Sequence, residues 1–205
     1  MVVLAIIVSV MSIVLTGQST FNKTLILSNT TYDIALSLRS AETYGLGGHA
    51  VGVAPTGYGI HFDKTIPGSF ILFGDSSPGP STTSVCHPTS DVTSLSAQPG
   101  DCSYTAGQDT VVSTYVLGNN MTISDFCAYF SGSWSCATSH GSSLSALDIV
   151  FSRPNPDTLM SANGSYSPSS PVTGACITVS SPQGGWRFIS VSSSGQIDAG
   201  ATQCP

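Results

Sequence analysis

The sequence has very few charged side chains. Only 8% of its 205 residues are charged, against about 25% in ordinary soluble domains, and Glu42 is its single glutamate. The five Lys and Arg residues are scattered, and the net charge is -6. The chain therefore has no basic stripe for a nucleic-acid backbone and no basic cluster for anionic lipids. A surface of Ser, Thr, Asn and Gly favours an extracellular structural protein over a cytosolic enzyme.

Cysteine is absent from the first 85 residues, and no C-x-x-C pair occurs among the six that follow. Zinc sites usually bring two ligands close together in sequence, so a metal site is the weaker interpretation. Disulfides are favoured instead, and proximity favours three of the 15 possible pairings. One or two free, buried thiols remain the alternative. The favoured pairs are Cys86–Cys102, Cys127–Cys136 and Cys176–Cys204.

The first 22 residues carry no charge, and residues 1–15 are almost entirely apolar. No basic residue precedes this run and no small-residue cleavage site follows it, so it does not look like a signal peptide. A membrane helix needs about 20 apolar residues, which 15 do not supply. The run therefore fits neither a signal peptide nor a free-standing membrane helix.

Proline is absent between Thr16 and Tyr44. Leu27, Ile34, Leu38 and Ala41 recur at helical spacing, so they should share one buried face. The spacing predicts one helix over residues 1–44 that ends at the following glycines. The alternative is an anchor, a hinge at Thr16-Gly17 and a separate short helix.

Beyond Gly48 the hydrophobic pattern has period two, which indicates strands. Two hairpins are expected, one over residues 57–73 and one over 176–193, with further strands at residues 110–117 and 147–154. Residues 119–140 look irregular or partly helical. The predicted fold class is α+β: a long N-terminal helix, made of an apolar stem and an amphipathic half, packs on an antiparallel β-sheet head with disulfide-stapled loops.

Enzyme motifs are absent. "FILFGDSS" resembles the nucleophile block of GDS-type esterases, but no histidine has an aspartate three residues before it, so Ser76 lacks a base. The four histidines form no H-E-x-x-H motif, and no D-x-D-x-D-G calcium loop occurs. We expect no catalytic residue, no metal site and no cofactor.

Three stretches carry a family resemblance. "MVVLAIIVSVMSIVL" resembles the stem of type IV pilins and pseudopilins, in which F-T-L-I-E-L precedes a run such as M-V-V-x-A-I-I. "SLRSAETYG" resembles the helix end of H-type pseudopilins, and "CITVSSPQGGWRFISVSSSGQI" resembles their closing strands. The family's glutamate would stand just before Met1, so we expect the true start to lie upstream.

The resemblance implies assembly, not catalysis. It implies a structural subunit of a type IV pilus or a type II secretion-like pseudopilus, with no nucleic-acid partner. Its implied partners are other pilin or pseudopilin subunits, the inner membrane, a prepilin peptidase and an assembly platform. The implied location is the inner membrane, crossed once, with the head outside the cytoplasm and later at the cell surface. The implied stem residues are Met1, Val2, Val3, Leu4, Ala5, Ile6, Ile7, Val8, Val10, Met11, Ile13, Val14 and Leu15.

The expected organisation has two parts. Residues 1–48 form the helix, with the stem at 1–15 and the amphipathic part at 16–48. Residues 49–205 form the β-rich head, which contains a long Ser/Thr/Pro/Gly loop at 76–109. The alternative function is a membrane-tethered surface adhesin or binding module whose stapled loops recognise a ligand.

Overall fold

A computed structural model describes residues 2–48, 57–77, 100–141, 143–152, 157–167 and 169–204. Within the first range, the side chains are described at 2–4, 6–12 and 23–48. One helix, α1 (Val2–Gly47), precedes ten strands in this part of the chain. The strands are β1 (Gly57–Asp63), β2 (Ser69–Asp75), β3 (Thr110–Val116), β4 (Thr122–Phe130), β5 (Ser133–Cys136), β6 (Ala146–Ser152), β7 (Thr158–Ala162), β8 (Gly174–Ser180), β9 (Trp186–Ser192) and β10 (Ile197–Ala201).

The strands form two five-stranded antiparallel sheets. The first sheet has the order β3-β2-β1-β6-β7, and the second has the order β10-β9-β8-β4-β5. The chain passes from the first sheet to the second after β3 and returns after β5. Each sheet therefore combines strands that are distant in sequence, and the two sheets share one core.

The core lies between α1 and the inner faces of both sheets. Alternate residues of β1, namely Tyr58, Ile60 and Phe62, are almost fully buried, as the period-two pattern predicts. Helix α1 contributes the buried face that includes Ile34 and Leu38, and this face contacts strands of both sheets. The helix thus closes the core along one side.

The predicted fold class is wrong. We expected an α+β protein with an apolar stem and a helix packed on one antiparallel sheet, but the protein is mainly antiparallel β, with two sheets. Residues 119–140, expected to be irregular or partly helical, supply β4 and β5. A register shift between Ile123 and Asp125 interrupts the alternation there, which hides β4 from a period-two pattern.

The predicted location is also wrong. Within the described residues, no helix combines the length and the apolar character that are needed to cross a membrane. Polar residues follow soon after Leu15 in the sequence, at Thr16, Gln18 and Ser19. The apolar run therefore stops short of the roughly 20 residues that a span requires, and a single-pass inner-membrane protein is not supported.

The last turns of α1 lie directly against β6. A methyl group on Gly45 would lie 2.2 Å from the carbonyl oxygen of Phe151, whereas one on Gly47 would meet nothing within 4 Å. Only glycine at position 45 allows this close approach of helix and strand.

We expect Gly45→Ala to destabilise the protein by about 1–3 kcal/mol, because the helix end must move away from β6. Gly47→Ala is the matched control, and it should be neutral or stabilising by up to about 1 kcal/mol, because alanine favours a helix. Urea unfolding of both variants measures the difference. Equal free energies of unfolding for the two variants would contradict the close approach.

Candidate functional site

The start of α1 presents an unusual apolar surface. Eight side chains between Val2 and Met11 are between 51% and 74% exposed, and no charged residue lies among them. They are Val2, Val3, Leu4, Ile6, Ile7, Val8, Val10 and Met11. We call residues 2–11 the apolar segment. A monomer rarely exposes an apolar patch larger than about 300–600 Å² without a partner for it.

Five of the predicted stem residues have no described side chain. Met1, Ala5, Ile13, Val14 and Leu15 lie outside the described residues or side chains. The observations on the stem therefore rest on the apolar segment alone.

Two of the three favoured cysteine pairings are confirmed. Cys127 and Cys136 form a disulfide between β4 and β5, and Cys176 and Cys204 join β8 to the end of the described chain. Cys102 is also disulfide-bonded, while Cys86 lies outside the described residues. Free thiols are absent from the described part of the chain, so the alternative of one or two buried thiols finds no support there.

A buried polar network crosses three strands of the first sheet. His61 on β1 donates through Nδ1 to Oδ1 of Asp148 on β6, at 2.6 Å. Ser161 on β7 donates to the other carboxylate oxygen, at 2.9 Å. These residues are register partners across the strands, and all three are at most 7% exposed. They face away from the main core, on what we call the outer face.

Residues 100–109 cover the outer face. The ring of Tyr104 lies 4.7 Å from the imidazole of His61, measured between centroids, and 5.3 Å from the ring of Phe73. The backbone N–H of Tyr104 donates to Asp148. Burial raises the pKa of Asp148, although the hydrogen bond from His61 opposes this shift.

Two further carboxylates fasten the same segment to the end of β2. Asp75 accepts hydrogen bonds from the backbone N–H groups of Asp101 and Cys102. Asp109 accepts from the N–H groups of Ser76, Ser77 and Thr105. Burial raises the pKa of Asp75 well above its ordinary value. These contacts hold loop backbone, and each carboxylate is engaged by amides.

The network does not have the arrangement of a catalytic triad. A nucleophilic serine needs a histidine as its immediate base, whereas Ser161 donates to the carboxylate and not to His61. Ser76 contributes its backbone N–H to Asp109, and this contact activates no hydroxyl. His49 and His87 lie outside the described residues, and His140 is exposed on a loop.

One cluster has the residue types of a metal site. The ligand atoms of Asp125, Cys127 and Cys136 lie within 4.8 Å of one another. Both sulfurs belong to one disulfide, so neither offers the thiolate that binds a metal. Asp125 instead accepts hydrogen bonds from the N–H groups of Thr138 and Ser139. Hydrogen bonds from the Ser139 hydroxyl and from this loop lower the pKa of Asp125 against the opposing effect of its partial burial. This arrangement holds a loop.

No protein-family model matches the chain, and neither does any curated protein or solved structure.

The features of the structure differ in whether the sequence alone could reveal them. The apolar segment could be predicted from the sequence, because a run of apolar residues is enough to reveal it. The His61–Asp148–Ser161 network was missed, because its members are separated by up to 100 positions and no local spacing connects them. A weak signal existed, since His61 and Asp148 each stand inside an otherwise apolar strand, where an unpartnered polar group would be costly.

Proposed function

We propose that this protein is a structural subunit of a pilin-like filament, of the type IV pilus or the type II secretion-like pseudopilus kind, and that it assembles with copies of itself through its N-terminal helix. The apolar segment carries the proposal. Ten consecutive helical residues, of which eight are exposed and apolar, stand apart from a β-rich head that is closed around its own core.

The energetics favour burial of this segment against another protein surface. Burying a whole Val, Leu, Ile or Met side chain contributes about 1.5–3 kcal/mol. Each of the eight side chains has half or more of its surface still exposed, so each would add about 1 kcal/mol on burial. A set of such contacts along one helix is suited to packing between subunits.

The rest of α1 anchors the segment to the head. Its second half buries Leu27, Ile34 and Leu38 in the core, so force applied to the segment passes to both sheets. The disulfides add cross-links within the head, as expected of a protein in an oxidising compartment. These features support a load-bearing subunit.

The test is concentration-dependent assembly of the full chain. Sedimentation velocity should show polymers of the unaltered protein, and Ile7→Asp should sediment as a monomer with an unchanged circular dichroism spectrum. A charge in a buried helix contact should lower the assembly constant at least about tenfold. Ile66→Asp is the control, because Ile66 is exposed in the β1–β2 turn, far along the chain from the segment.

Two outcomes would overturn the proposal. One is an unaltered protein that stays monomeric at every concentration at which it is soluble. The other is an Ile7→Asp variant that assembles as well as the Ile66→Asp control.

A surface binding module is the second candidate. A groove of about 310 Å³ beside α1 exposes Trp186, Tyr32 and Arg187, and these residue types dominate the energetics of protein interfaces. Trp186→Ala should reduce recognition of a ligand without changing assembly, whereas Ile7→Asp should do the reverse. The sedimentation experiment therefore distinguishes the two candidates.

A further inference from the structure

A second exposed surface with apolar walls lies on the described part of the head. It is a groove of about 390 Å³ between α1 and the end of β3. Its apolar walls include Leu36 and Val116, which are 60% and 79% exposed, and Tyr115, which is 36% exposed. The helix side of the groove follows one stripe of α1 from Thr30 to Ser40.

Strand β3 forms an edge of its sheet. Among the described residues it pairs only with β2, and its sequence, TVVSTYV, contains no charge and no proline. Proteins usually protect an exposed edge with such residues, because an unprotected edge invites association. This edge therefore has the character of a contact surface.

The hydroxyl groups on the helix side of the groove are already satisfied, and the exposed carboxylate of Asp33 also lines this side. The hydroxyls of Thr30, Ser37 and Ser40 donate to carbonyl oxygens one turn earlier in α1, at 2.9–3.0 Å. An apolar occupant could therefore cover these three hydroxyls without leaving a donor unsatisfied, provided that the Asp33 carboxylate stays in contact with water. Ser12, next to the apolar segment, donates to the carbonyl oxygen of Val8 in the same way.

The apolar segment matches the groove in length but cannot enter it within one molecule. Residues 2–11 and the stripe from Thr30 to Ser40 each extend roughly 15 Å along a helix. Met11 and Leu36 belong to the same helix, and a rise of about 1.5 Å per residue places them roughly 38 Å apart. The occupant must therefore come from another copy.

We propose that the groove between α1 and β3 receives the apolar segment of a second copy of this chain. The inference rests on the proposed function and adds the surface that receives the segment. Segment and groove are different surfaces, so the contact is head-to-tail and leaves a free segment and a free groove at each end. Such a contact generates an open-ended assembly and not a closed dimer.

Cross-linking tests the contact in the full chain. Because the described cysteines are all disulfide-bonded, cysteines introduced at Ile7 and Val116 should react selectively with a short bis-maleimide. The Ile7→Cys/Val116→Cys chain should give a ladder of covalent oligomers, since each copy carries both partners. The matched control is Ile7→Cys/Trp186→Cys, which places the second thiol in the groove beside β9 and should give at least about tenfold fewer cross-links.

The outcomes distinguish a failure of this inference from a failure of the proposed function. A ladder from the Trp186→Cys chain, or no ladder from either chain while polymers sediment, overturns the groove assignment and leaves the proposed function standing. Absence of polymers from the unaltered protein overturns both. Leu36→Asp gives a second readout, because it should keep the head folded and reduce assembly about tenfold or more.

Discussion

Replacing Ile34 with aspartate should largely unfold the head. Ile34 has no exposed surface and lies in the core that α1 shares with both sheets. The change removes a fully packed side chain, which alone costs about 2–5 kcal/mol, and it also places a carboxylate among the apolar side chains of the core. We expect a loss of at least about 4–5 kcal/mol, close to the whole stability of many domains.

The measurement is urea unfolding monitored by circular dichroism. Leu36→Asp is the matched control, because Leu36 lies two residues further along the same helix and is 60% exposed. It should change the free energy of unfolding by less than about 1 kcal/mol. If Ile34→Asp were equally mild, this face of α1 would not pack on the sheets, and the helix would be free to move relative to the head.

The buried face of α1 could be predicted because its pattern is local. Leu27, Ile34, Leu38 and Ala41 recur at helical spacing, and all four are buried. The first hairpin is similar, since Phe70 and Leu72 of β2 lie in the main core as the alternation predicts. In both cases the spacing of apolar residues along a short stretch of sequence is enough to predict which side chains are buried.

The arrangement of strands into two sheets could not be predicted in the same way. Strands β1 and β6 are register partners although nearly 90 residues separate them, and no local pattern identifies such a pair. Phe73 and Val150 also show that the first sheet is buried on both faces, because residues 100–109 cover the outer one. A cover held by Asp75 and Asp109 depends on long-range hydrogen bonds that composition cannot reveal.

The two candidate sites differ in the same way, since one could be predicted from the sequence and the other could not. The apolar segment could be predicted because it needs only a run of apolar residues. The receiving groove combines part of α1 with the end of β3, about 80 residues later in the chain, and it exists only after folding. Leu36 alone would read as an ordinary exposed residue of an amphipathic helix.

Replacing His61 with alanine should be the second most damaging change. It removes the imidazole donor 2.6 Å from Asp148, a carboxylate with no exposed surface. Removing one partner of a buried hydrogen bond costs about 1–3 kcal/mol, and more where the group left behind is a carboxylate, because that group stays buried without its partner. Residues 100–109, which cover the outer face, should also pack less tightly, because the ring of Tyr104 lies against the imidazole ring.

Acid should partly reverse the effect of His61→Ala. Burial already raises the pKa of Asp148, and the hydrogen bond from His61 opposes that rise; removing His61 should therefore raise the pKa further. A carboxyl with a raised pKa in the folded state binds protons more tightly than in the unfolded state. The stability that this bound proton contributes to the folded state is therefore present at low pH and is lost as the pH rises through the folded-state pKa. The deficit of the variant should be larger at pH 7 than at pH 5.

A double-mutant cycle isolates the pair. Asp148→Asn keeps the size of the side chain but removes its charge, so adding it to His61→Ala should recover part of the lost stability at pH 7 and remove most of the pH dependence. Urea unfolding of the four proteins at both pH values measures the coupling. Equal deficits for His61→Ala at the two pH values would mean that the carboxylate of Asp148 is not what the imidazole stabilises. The contact between His61 and Tyr104 would then be the main contribution of His61 to the fold.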